Sequence, residues 1–119
     1  MSLLFLFACI TGRNYPEKNA EIFCETMYQC IEEDTIEDFL QYDDEEDCVT
    51  AVIEQIISSK EYQEWEADTA EFKKEKAEAC LAEIVEVQSE QECDGTMNPL
   101  SFSVDVYVDD CFEVYTAPQ

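Results

Sequence analysis

At 119 residues the chain has room for one domain, and its 46% apolar content argues against full disorder. Six Lys and Arg against 30 Asp and Glu leave a net charge of −24, a surface that repels nucleic-acid phosphates and anionic lipid and so disfavours binding to either. With no histidine and only Gly12 and Gly95 as glycines, imidazole catalysis, histidine metal ligation and a phosphate-cradling glycine loop are excluded, and the chain is read as no enzyme and without a cofactor.

The start is apolar. Residues 3–8 read LLFLFA and run into Cys9, the form of the end of an export signal with a small residue before its cleavage point. Leu6-Phe7-Ala8-Cys9 resembles a bacterial lipoprotein box, which makes Cys9 the lipidation candidate and a lipid anchor the one route to a membrane. The competing reading is a short buried strand over residues 3–10. The organisation expected on the export reading is a truncated signal at 1–8, a tether at 9–16 and a single acidic helical domain at 17–119.

Within that domain, Pro16 suits a first helical turn, and Ala20, Phe23, Cys24, Met27 and Ile31 recur at three and four. This predicts an amphipathic helix over about 17–32. Thr35 and Asp38 have capping-box spacing for a short helix carrying Ile36, Phe39 and Leu40. The acidic stretch 43–47 precedes the stripe Cys48, Val49, Val52, Ile53, Ile56 and Ile57, where the positive end of a third helix favours carboxylates. Asp68 and Glu71 repeat the capping-box spacing before a fourth helix, 69–87, whose inner stripe is Phe72, Ala77, Cys80, Leu81 and Ile84. After the turn signals around Gly95 and Pro99, Phe102, Val104, Val106 and Val108 alternate with Ser103, Asp105 and Tyr107, a period of two that predicts an extended segment. The fold class expected is therefore all-α: a small disulfide-stapled bundle of three to four helices with an irregular or extended C-terminal segment.

Seven cysteines are many for so short a chain, and disulfides belong to oxidising compartments. Setting Cys9 aside as an anchor leaves six that can pair. Cys24 and Cys30 lie six apart on one helix, about 9 Å along its axis, beyond the reach of about 7 Å between disulfide Cα atoms. Cys30 with Cys48 across a short helical link, Cys80 with Cys93 where the chain doubles back, and Cys24 with Cys111 form one arrangement among fifteen. Zinc and thiol–disulfide redox chemistry both favour a close C-x-x-C pair, and the chain has none.

The LFAC start, the early Cys24 and Cys30, Cys48 opening the next helix, KAEACLAEI at 76–84, Cys93 and the terminal CFEVY at 111–115 together resemble small cysteine-rich lipoproteins and secreted proteins of myxobacteria and related predatory or marine bacteria. The resemblance spans residues 20–115 and rests mainly on cysteine spacing. It implies an exported helical domain with three disulfides, in the periplasm, at the outer membrane or outside the cell, and it brings no site residues with it.

Three functional expectations follow. The first is an exported structural or protein-interaction module at the envelope, with a basic protein as its partner if it has one. The second is a cytosolic DNA mimic that blocks the basic groove of a nucleic-acid-binding protein, its cysteines acting as reduced apolar fillers. The third is weak calcium binding by Asp43, Glu45 and Asp47 or by Asp105, Asp109 and Asp110. The glycine and final glutamate of a helix–loop–helix calcium site are missing at the required spacing.

Overall fold

The computed structural model describes residues 9–106 and 108–116. The apolar segment 3–8, with the signal and strand readings placed on it, lies outside the described residues. Described helices are α1 (Tyr15–Cys30), α2 (Glu33–Leu40), α3 (Glu45–Ile57), α4 (Lys60–Glu66), α5 (Lys74–Val87), α6 (Pro99–Val106) and α7 (Asp109–Phe112). Two two-residue strands, β1 (Glu71–Phe72) and β2 (Tyr115–Thr116), pair antiparallel with Phe72 opposite Tyr115. The fold is a mostly helical bundle closed by three disulfides.

α1 is the central element, flanked by α3 and α5. Its buried positions, among them Ala20, Phe23, Cys24, Met27 and Cys30, keep the spacing of three and four that places side chains on one face. α3 begins at Asp44, whose carboxylate accepts from the Asp47 amide at 2.9 Å, and Glu45, Glu46 and Asp47 fill its first turn. α5 buries Ala77, Cys80, Leu81, Ile84 and Val87. The main core joins the α1 stripe with Cys48 and Val52 of α3, Cys80, Ile84 and Val87 of α5, and Phe102 and Val106 of α6. A second core gathers Ile10, Tyr15, Tyr62, Leu81, Val114 and Tyr115 at the other end.

The second core corrects the tether expected at 9–16. Ile10 and Tyr15 are buried, Thr11 and Asn14 exchange hydrogen bonds, and Gly12 lies under the Trp65 ring. A Cβ on Gly12 would stand 2.3 Å from a Trp65 ring carbon, so glycine is what lets the chain pass there.

Three element assignments also change. The second helix starts two residues before Thr35, so that residue lies inside α2 and caps nothing. No helix runs from 69: Asp68 sits in the left-handed region at φ 63°, and 71–72 pairs with the tail, so helix begins only at Lys74. The segment 102–106 is helical, not extended. Phe102 and Val106 are buried four apart while Val104 is 76% exposed, and the Asn98 side chain accepts from the Leu100 amide at the start of α6. Pro99 fits that first turn because its missing amide hydrogen would have no helical partner.

All three expected cysteine pairs are corrected. The bonds are Cys24–Cys48, Cys30–Cys93 and Cys80–Cys111, in place of Cys24–Cys111, Cys30–Cys48 and Cys80–Cys93. α3 packs alongside α1, bringing Cys48 level with Cys24 rather than with the end of α1. That end is taken by the loop after α5. The Cys30 carbonyl accepts from the Gly95 and Met97 amides, and Cys93 closes onto Cys30 beside them. With Cys93 engaged there, Cys80 in mid-α5 meets Cys111 on α7. The closed loops span 24, 63 and 31 residues, and each restricts the unfolded chain by about 3–4 kcal/mol in the chain-entropy treatment.

Candidate functional site

The sequence offers α2 an apolar stripe of Ile36, Phe39 and Leu40, spaced as neighbours on one helical face. Only Ile36 is covered. Phe39 is 71% exposed and Leu40 is half-exposed. Across from them on α6, Leu100 is 77% exposed. Between α2 and α6 lies a groove of about 560 Å³, floored by Phe23, Met27 and Ile31 of the α1 region and by Val52 of α3. This volume is within the range of roughly 300–1,000 Å³ typical of binding clefts.

A smaller cleft of about 280 Å³ adjoins it, sharing Phe23, Val52 and Gln55 as a common wall. Here Tyr15 donates its hydroxyl hydrogen to Cys80 Sγ at 3.3 Å and accepts from Asn19 Nδ2 at 3.0 Å. Burial pushes the Tyr15 phenol up to about 12, opposed by the Asn19 hydrogen bond, so it is neutral throughout the physiological range. Phe112 and Cys111 form the opposite side.

No charged residue lines the larger groove, but the helix that forms one of its lips is acidic. α2 itself carries Glu33, Asp34, Glu37 and Asp38 and no basic residue. The starts of α2 and α3 converge on Tyr28, whose phenol is pushed up by burial first and then by Asp44, Glu33, Glu45 and Asp47.

The calcium candidates are dispersed. Asp47 accepts from the Asp43 amide and serves the start of α3, and Glu45 is in the same turn. Asp110 binds Lys76 at 3.1 Å, together with Glu113 at 3.0 Å, while Asp109 is exposed at the start of α7. Asp105 instead joins Glu90 and Glu92. Among the described residues this is the one group of three whose ligand atoms all lie within 4.8 Å of one another. Loss of hydration, then the Asp105 carboxylate and its hydrogen bond, push Glu90 above its ordinary value, as expected where like charges crowd. Cys9 is exposed and unbonded to another cysteine.

Sequence reasoning named Phe39 and Leu40 as part of a helical stripe but had no ground for leaving them uncovered. Leu100 lies between the turn signal at Asn98-Pro99 and the alternating segment from Phe102, where no sequence pattern singles it out. No family model matches the chain, and no curated protein and no solved structure does either. Among the described residues, no helix is long and apolar enough to cross a membrane.

Proposed function

We propose that the chain is an exported protein-interaction module whose binding face is the groove between α2 and α6. The observation that carries this reading is the exposure of Phe39, Leu40 and Leu100 around one groove in a chain of net charge −24. Such a chain has polar residues in abundance to cover its surface, and contiguous exposed apolar side chains rimmed by polar ones mark interaction sites. The polypeptide forms a second core and three disulfides yet leaves this face open.

Export is supported by cysteine usage. Six cysteines in disulfides suit an oxidising compartment, and a chain with so much charge repulsion gains most from such cross-links. The LFAC segment ending at Cys9 is the second support, and lipidation at Cys9 would anchor the module at the envelope.

The test is fractionation of a bacterium expressing the complete gene, followed by mass measurement of the alkylated, unreduced protein. The expected result is protein outside the cytoplasm with six cysteines protected from alkylation. Protein confined to the cytoplasm with those six alkylated would contradict export and favour the DNA-mimic reading.

A further inference from the structure

The groove-lining residues lie in two stretches of sequence, and neither stretch contains a cation. Between Lys18 and Lys60 there are thirteen Asp and Glu and no Lys or Arg, and after Lys76 there are ten and none. The groove draws its floor from the first stretch and its α6 lip from the second. Arg13, Lys60, Lys73, Lys74 and Lys76 are held in ion pairs outside it. None of the six cations lines the apolar trough, and the α2 lip beside it carries four carboxylates and no cation.

We propose that the groove binds a basic amphipathic helix of a partner protein, with apolar side chains between Phe39 and Leu100 and lysines or arginines over the flanking carboxylates. The proposal rests on the reading of the groove as a protein-binding face and adds the chemistry of the partner.

Three physical arguments select this occupant. A trough lined by helices with exposed apolar lips suits the helix-in-groove mode, in which anchors recur at three, four and seven. Among the described residues, strand addition lacks a template at the groove, because the strands β1 and β2 are two residues long and pair with each other. A second copy would bring another charge of −24 against the same face, whereas a cationic helix is drawn to it and oriented by it.

The test uses the oxidised chain and three synthetic peptides of about 18 residues, or five helical turns. One is a Leu/Lys amphipathic helix, one has the same leucine pattern with Gln for Lys, and one is the Leu/Lys composition scrambled to destroy the apolar face. Binding is followed by amide chemical shifts and calorimetry at about 0.15 M salt, where long-range attraction is largely screened. The Leu/Lys helix is expected to bind one to one, with shifts at the α2 and α6 residues, at least about tenfold tighter than either other peptide.

The F39D/L100D double variant separates docking from attraction. Both side chains are exposed, so the fold is expected to persist, as an unchanged melting temperature would verify. The substitutions remove the apolar lips yet add two negative charges. Groove docking then weakens by at least about tenfold, whereas charge attraction alone would strengthen. Equal or tighter binding by the variant, or equal binding of the scrambled peptide, overturns the proposal. Equal binding of the Gln peptide overturns the basic partner and leaves the groove reading standing. Failure of all three peptides to bind overturns both.

Discussion

Tyr115 donates its hydroxyl hydrogen to the Gly12 carbonyl at 2.7 Å, joining residues 103 apart in sequence. The same ring packs against Tyr15, Tyr62, Trp65 and Phe72, with centroids 5.3–5.9 Å away. The N-terminal approach to α1 and the C-terminal tail are thus locked in one aromatic cluster. Tyr115→Phe keeps the ring and leaves the Gly12 carbonyl without its donor. The expected loss is about 1–3 kcal/mol, read as a lower urea midpoint with an unchanged slope. An unchanged midpoint would mean that water replaces the hydroxyl at no cost.

Glu90 gives a pH dependence of definite sign. Its folded value is raised above the ordinary 4.5, with Asp105 as the leading charged neighbour. Just above that value the folded chain therefore releases this proton later than the unfolded chain does. The contribution of this group to stability falls as pH rises through the window just above 4.5. Asp105→Asn removes the neighbouring charge. The variant is expected to melt above the parent at pH 7 and to lose that advantage near pH 4, a difference that calorimetry at the two pH values would resolve.

Ile36 is the buried anchor of α2. Replacing it with alanine removes apolar contacts of the kind whose loss costs roughly 2–5 kcal/mol in a well-packed core. Because the rest of α2 is exposed apart from half-buried Thr35, the effect is expected to appear as local opening. Hydrogen exchange should accelerate across Glu33–Leu40 while amides of α5 stay protected. Equal acceleration in both helices would show that α2 unfolds only with the whole domain.

Much of the helical layout was legible in the sequence, because the apolar residues of α1, α3 and α5 repeat at three and four. α6 was not, because Phe102 and Val106 are members of a period-two set and also lie one helical turn apart. The packed surface chose between those periods by burying these two and exposing Val104. The capping signals at Thr35 and Asp68 are overridden by an earlier helix start and by the pairing of residues 71–72 with the tail. Disulfide partners depend on which elements lie side by side, and cysteine spacing along α1 excluded only the Cys24–Cys30 pair. The groove is hidden for the same reason: the stripe of α2 is visible in sequence, but its coverage is a property of the packed neighbours.

Connectivity of the cysteines bears most directly on the whole architecture, since the open groove depends on α1, α3, α5 and α7 being fixed by these cross-links. The decisive measurement is proteolysis of the unreduced protein under conditions that prevent thiol exchange, followed by mass assignment of linked peptides. Cys24–Cys48, Cys30–Cys93 and Cys80–Cys111 are expected, with Cys9 outside every pair. A peptide joining Cys30 to Cys48, or six unpaired cysteines in the exported protein, would contradict the account.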